Sequence, residues 1–311
     1  MPTPPRPRFQ RLALLVLGAL LVALGADRLA EAAPPASAEA PAAPPALLSA
    51  AADELFRESF DVRPGDDLVV DLGSEAVVVE TGSGDRALVT VEGRGRDARR
   101  EFERRRFTAR ATRGRLDVRT DPPRRGFRIG RTDAQFTVTV RVPERFNVSV
   151  DVGSGAVRVG PSLRGDLLVD TGSGAVRVGD VTGGRIEIET GSGAVRAGRL
   201  VGNVSIDTGS GAVAVGSVDG PASIDTGSGA VSLTLASAAE TEVDTGSGSV
   251  SIVLARGAGF DVELDGGRVS IDDALDFRGR RERREVEGTV AGGGPRLTVD
   301  TGSGAVRLRA Q

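Results

Sequence analysis

The chain has no cysteine, histidine, tyrosine or tryptophan, and each of its 40 basic residues is an arginine. Those absences remove several kinds of chemistry before any motif is considered. Without His or Cys there is no Ser-His or Cys-His nucleophile and no zinc site built on those ligands. Without Lys there is no Schiff base, and without Cys there is neither a disulfide nor a lipid-bearing cysteine anchor. The 10 phenylalanines are the only aromatics, so the Trp and Tyr platforms that commonly line sugar clefts, and the stacking surfaces of single-strand binders, are missing. Carboxylates, hydroxyls and arginine remain.

Glycine is abundant, at 43 of 311 residues, and much of it sits in one phrase. Asp-Thr-Gly-Ser-Gly-Ala-Val occurs at 170–176, 207–213, 225–231 and 300–306, with near-copies at 151–157, 189–195 and 244–250. The first glycines of successive triplets, Gly153, Gly172, Gly191, Gly209, Gly227 and Gly246, are separated by 19, 19, 18, 18 and 19 residues. A near-constant period of this size indicates stacked structural units.

Within each period, short apolar-polar alternations flank the triplet, as in Arg185-Ile186-Glu187-Ile188-Glu189-Thr190 and Ala194-Val195-Arg196-Ala197. Period-2 alternation marks strands, and its parity shifts across Gly-Ser-Gly, which marks a corner. Positive φ at the corner would explain the glycines. Two strands and two corners in 18–19 residues make one coil, so the expected fold is all-β. It is a parallel β-solenoid with irregular capping coils, wound right-handed as parallel crossovers are. Coils roughly 4.8 Å apart would stack Val157, Val176, Val195, Val213, Val231 and Val250 as one internal ladder. An antiparallel sandwich is the competing fold, but it does not require identical residues at a fixed spacing.

Residues 1–26 carry Arg6, Arg8 and Arg11 before an apolar run from Leu12 to Ala26. They resemble a secretory signal peptide, cleaved after Ala26 or Ala32, or an uncleaved anchor that would keep the protein near a membrane. Residues 27–54 are an Ala/Pro-rich linker. Residues 55–150 are expected to form an irregular N-terminal β portion or cap, with Glu80-Thr81-Gly82-Ser83-Gly84 as an early copy of the phrase. Residues 151–311 form the repeat solenoid, including a degenerate coil at 267–271 and a charged excursion at 277–287. Export to the periplasm or cell surface follows from this organisation.

Asp-Thr-Gly-Ser also occurs in aspartic proteases, where two such loops bring carboxylates together across an axis; here it belongs to a short repeat. A structural role is expected for the corner residues Asp170, Gly172, Gly174, Asp207, Gly209, Gly211, Asp225, Gly227, Gly229, Asp244, Gly246 and Gly248, with each carboxylate poised for an Asx-turn. Adjacent carboxylates at this spacing repel by roughly 1 kcal/mol in water, and calcium is one candidate for offsetting that. The sequence names no catalytic residue, metal ligand or cofactor. After the corner, Arg158, Arg177 and Arg196 form a strip facing outward, continued by Ala214, Ser232 and Ser251. It is either a solvated face or an anion-binding strip for an acidic glycan or another envelope component. The dense arginines of 94–131 and 280–284 are diluted by acids, and the net charge is −3. Nucleic-acid binding ordinarily needs a basic excess.

The strand from Phe136 to Pro143, the segment from Phe146 to Val150 and the Gly-Ser-Gly-Ala-Val units together resemble the bacterial β-strand-repeat "putative adhesin" domain family, whose function is unknown. The resemblance covers about residues 60 to 311. It implies an exported β-repeat fold without an established catalytic site. The expected function is therefore a non-enzymatic envelope or surface β-solenoid, structural or adhesin-like. The alternatives are an envelope-stress sensory or regulatory protein that engages a partner or polyanion through its repeat face, and a polysaccharide-active β-helix enzyme.

Overall fold

The valines that follow each Gly-Ser-Gly lie one above another: Val157 pairs Val176, which pairs Val195, then Val213, Val231 and Val250. All six are at most 1% exposed. A fully buried Val contributes about 1.5–3 kcal/mol, so the repetition builds a continuous core from a weak local signal. The computed structural model describes residues 52–121 and 133–311. The expected signal peptide or anchor of 1–26 lies outside the described residues, as do the linker up to residue 51 and Arg124, Arg125 and Arg131.

In chain order, β1 (Asp53–Asp61), β2 (Asp67–Leu72), β3 (Ala76–Gly82) and β4 (Arg86–Arg94) precede one helix, α1 (Ala98–Arg104). Then come β5 (Arg106–Thr112), β6 (Arg115–Asp121), β7 (Gln135–Pro143), β8 (Asn147–Val152) and β9 (Val157–Arg164). The regular repeats supply β10 (Leu167–Thr171), β11 (Val176–Thr190), β12 (Val195–Thr208), β13 (Val213–Asp219) and β14 (Ala222–Thr226), followed by β15 (Val231–Leu235), β16 (Thr241–Thr245) and β17 (Val250–Leu254). The chain closes with β18 (Phe260–Asp265), β19 (Arg268–Ile271), β20 (Phe277–Arg281), β21 (Glu285–Val290), β22 (Arg296–Thr301) and β23 (Ala305–Ala310). β1 takes in Asp53 and Glu54, the last two residues of the expected linker.

Two parallel sheets run the length of the stack and meet at the Gly-Ser-Gly corner. The pre-corner sheet runs β6, β2, β8, β10, the ends of β11 and β12, β14, β16, β22 and β18. The post-corner sheet runs β7, β3, β9, the starts of β11 and β12, β13, β15, β17, β23 and β19. The fold is thus all-β and a parallel solenoid.

Stack order differs from chain order at both ends. The last repeat is inserted between the sixth regular coil and the degenerate one, so Asp244 pairs Asp300 and Asp300 pairs Asp265. The reason is at the corner. Thr301 carries the hydroxyl that can reach the Gly248 carbonyl, at 2.8 Å, whereas the degenerate coil has glycine at the equivalent place and becomes the outer layer. At the other end, β2 and β3 are covered by β6 and β7, which come later in sequence.

The early copy expected at 80–84 is not a coil corner. Glu80 lies in the post-corner sheet opposite Arg141 and Gly160. The true counterpart is Asp71-Leu72-Gly73-Ser74-Glu75, because Asp71 is in register with Asp151. A second correction concerns the looser corner, which holds a third ladder. Leu163, Val181, Leu200 and Val218 pair through coils and are each at most 1% exposed. The middle coils therefore have three paired segments, where two were expected. The charged excursion at 277–287 likewise contains paired strands: β21 lies antiparallel on β18, and β20 lies antiparallel on β21.

The ends are sealed differently from the middle. β4 lies antiparallel on β7 and β1 on β4, while β5 lies on β6. Phe102, carried by α1, approaches Phe107 and Phe136 at 5.7 and 6.3 Å, and Phe56 meets Phe107 at 5.0 Å. Beneath them the Arg105 guanidinium lies 4.7 Å from the Phe136 ring centroid and ion-pairs with Glu75, which is 3% exposed. Aromatic bulk thus covers the open end of a ladder that repeated valines cannot close.

The triplet glycines are not explained by positive φ, which occurs instead at Gly160, Gly202 and Gly220 of the looser corner. A Cβ at Gly174, Gly193, Gly211, Gly229, Gly248 or Gly304 would fall within 3.0 Å of a backbone carbonyl in the neighbouring coil. Close approach between coils excludes any side chain there. The same approach brings a buried threonine hydroxyl to the corner. Thr226 Oγ1 accepts the Gly229 N–H at 3.1 Å and donates to the Gly211 carbonyl one coil away at 3.3 Å. Thr171, Thr190, Thr245 and Thr301 repeat both bonds.

Replacing Thr226 with Val keeps the shape and removes both bonds, so unfolding free energy should fall by about 1–3 kcal/mol, the cost of stranding buried polar groups. Gly229→Ala should cost more, because a neighbouring backbone must move. Denaturant melts of the two variants measure this, and equal or negligible losses would contradict it.

Candidate functional site

Because the coils stack in register, each outward position of the repeat becomes a column. In the pre-corner sheet the position before the buried threonine, or before the Leu72, Val152 or Gly266 that takes its place, gives nine carboxylates in line, from Asp71 through Asp151, Asp170, Glu189, Asp207, Asp225, Asp244 and Asp300 to Asp265. Asp71 and Asp265 extend the expected column. Their coils lack the full phrase, and only the Asp preceding a glycine-containing corner hints at them. Two positions earlier, Asp117, Glu187, Glu242 and Glu263 add further acid to the same face.

The post-corner sheet carries the opposite sign. Arg158, Arg177 and Arg196 are paired in register on successive coils, all exposed, and their column continues through Ala214, Ser232 and Ser251 to Arg307. Among the described residues, none of the three arginines has a carboxylate within 4.0 Å. Arg309 stands beyond Arg307 on the same outward face. Glu80 of β3, on the same sheet, is held by Arg141 at 2.5 Å. Alternation alone placed each column outward; that one long face is acidic and the adjoining one basic emerges only once the corner is fixed between them.

The acidic column perturbs its own members. The Asp151 carboxyl is pushed above its ordinary value of 3.8 by partial burial and by Asp170 and Asp71 above and below it. The Glu189 carboxyl is pushed above 4.5 by partial burial, then by Glu187, Asp170 and Asp207. Among the described residues no group of three acidic side chains is placed to hold a metal ion. The corner hydrogen bond that recurs is made by the threonine of Asp-Thr-Gly-Ser, so that hydroxyl is buried and committed to structure. The carboxylates themselves run in a line along one face and do not converge across an axis as a protease pair must.

One open depression of about 400 Å³ crosses the start of the acidic face, lined by Asn203, Pro221, Ser223, Glu240, Glu242 and Arg296 among others. Its walls are mostly polar, unlike the apolar enclosure typical of small-molecule sites. The arginines Arg280 and Arg281 of the C-terminal hairpin are engaged by Glu285 and Asp273.

A parallel β-solenoid whose coils close through a glycine-threonine corner and whose outer faces are charged columns defines a class of repeat protein. The chain belongs to the Toastrack DUF4097 family, whose model matches residues 65–309. Solved structures similar to it include a "putative adhesin" from Bacteroides fragilis, at 14% identity over 81% of this chain and 96% of that one, with a TM-score of 0.48. A "putative adhesin" from Parabacteroides distasonis is 15% identical over 81% and 96%, with a TM-score of 0.41. A "putative lipid binding protein" from the same species is 10% identical over 81% and 96%, at 0.38. These proteins are named as adhesins or lipid binders, not as enzymes. No curated protein matches the chain.

A carboxyl whose pKa is raised in the folded state opposes folding when ionised, and the opposition fades as pH falls through the raised value. Glu189→Gln should therefore raise the melting temperature at pH 7 and low salt, and the gain should shrink towards pH 4 and in concentrated salt. Thermal melts at the two pH values check this. A gain of equal size at both, or none at pH 7, would contradict the electrostatic origin.

Proposed function

We propose that the protein is an exported, non-enzymatic β-solenoid of the cell envelope or surface, acting as a structural or adhesin-like element. The observation that carries the proposal is where the polar chemistry lies. The repeat's threonine hydroxyls are spent inside the corners, and its exposed serines, carboxylates and guanidinium groups are spread along faces instead of gathered in a cleft. Such an arrangement suits contact over an extended surface. The basic, then apolar, N-terminal text supports export.

A second reading is favoured by the three arginines, which have no carboxylate partner among the described residues. The post-corner face would engage an envelope component, protein or acidic glycan, in a sensory or regulatory role. A deletion strain separates the readings: lost attachment favours the first, and altered envelope-stress expression with normal attachment favours the second. Turnover of an acidic polysaccharide by the purified protein would contradict both.

Cell fractionation with sequencing of the mature N-terminus tests export. The protein is expected outside the cytoplasm, beginning after Ala26 or Ala32 or retaining the N-terminal segment in the membrane fraction. A wholly cytoplasmic, soluble protein would overturn the proposal.

A further inference from the structure

The two long faces carry opposite charge, and both are written by the same repeat. On the pre-corner face Asp151, Asp170 and Glu189 succeed one another coil by coil. On the post-corner face of nearly the same coils stand Arg158, Arg177 and Arg196. Each column therefore has the same axial step, roughly 4.8 Å. From this complementarity we infer that the solenoid binds a second copy of itself side by side, the basic post-corner face of one molecule lying on the acidic pre-corner face of the next.

The shared step is what favours another copy over other partners. When two rods lie along each other, an arginine column meets a carboxylate column once per coil, and sliding by one whole coil preserves the match. A flexible polyanion would meet the same three arginines, but it would also meet the adjoining acidic face and a chain of net charge −3. The acidic column extends past the layers of the three arginines in both directions. The available area is also adequate. Ten coil layers with strands of about five residues present roughly 800 Å² per face, which is about the area per partner of a standard specific interface.

This contact joins two different surfaces, so the assembly leaves one acidic and one basic face unoccupied at its ends. Such heterologous contacts propagate unless the rotation closes them into a ring. Isolated exposed ion pairs are weak, and association through them is screened by salt. The assembly should consequently be concentration-dependent and strongest at low ionic strength.

Analytical ultracentrifugation of the full-length protein as isolated from cells tests this. Wild type should sediment as oligomers in about 20 mM salt and as monomer in about 0.5 M salt, with at least about a tenfold weakening of apparent affinity between them. The triple variant Arg158→Glu, Arg177→Glu, Arg196→Glu should remain monomeric when alone. In an equimolar mixture with the reverse triple variant Asp151→Arg, Asp170→Arg, Glu189→Arg it should associate, because its three introduced carboxylates then meet three introduced guanidinium groups at the same axial step. Circular dichroism melts confirm that each variant is folded, and single substitutions, expected to weaken association partially, replace any triple variant that is not. Wild type that stays monomeric at low salt overturns the inference, as does a mixture that fails to associate. Wild type that stays monomeric yet binds heparin through Arg158, Arg177 and Arg196 overturns it in favour of a polyanion.

Discussion

The structure depends on how closely one Gly-Ser-Gly corner can approach the next. Where a side chain would sit, the carbonyl of the adjacent coil already does, and the buried threonine turns that crowding into a hydrogen bond between coils. The hydroxyls of Thr171, Thr190, Thr226, Thr245 and Thr301 both close their own corner and tie it to its neighbour, so local geometry and stacking are satisfied by a single group. Apolar ladders alone would allow a coil to slip or tilt; a donor and acceptor fixed in each threonine-bearing layer specify the register. The hydroxyl series begins at Thr171, since Val152 and Leu72 occupy the equivalent positions in the preceding coils, where the aromatic cap and the Glu75–Arg105 pair take over.

Charge follows from that register. A residue placed once per repeat on the outside must become a column, whatever its chemistry, and acids and arginines on either side of the corner become opposite faces. The acidic column is a cost borne by the fold, visible in the raised carboxyls of Asp151 and Glu189. The arginine strip on the adjoining face of the same protein carries the opposite charge at the same axial step.

Period and parity made much of this legible in the sequence. The valine ladder, the strands flanking each corner and the arginine strip at 158, 177 and 196 all follow from an 18- or 19-residue repeat with alternation. The third ladder did not, because Leu163, Val181, Leu200 and Val218 are single apolar residues in glycine-rich text that varies between coils. The role of the triplet glycines was misassigned for a related reason: a glycine required by a neighbour one coil away looks the same in sequence as one required by its own φ. Glu80–Gly84 matched the phrase yet lay in the wrong sheet, while Asp71-Leu72-Gly73-Ser74 matched poorly and lay in the right one. Stack order at the ends was also hidden. Interchangeable repeats give no local sign of which surface each will meet, and the choice falls to details such as the hydroxyl of Thr301.

That last point offers the sharpest test, since the chain contains no cysteine to confuse it. Ser251 pairs with Arg307, while Ser270 lies one layer further out. Paired cysteines at 251 and 307 should form a disulfide under mild oxidation, their Cα atoms being roughly 4.8 Å apart and within bonding range. Cysteines at 251 and 270, roughly twice as far apart, should not. The opposite pattern would show coils stacked in simple chain order and would contradict the account of how threonine-bearing corners choose their neighbours.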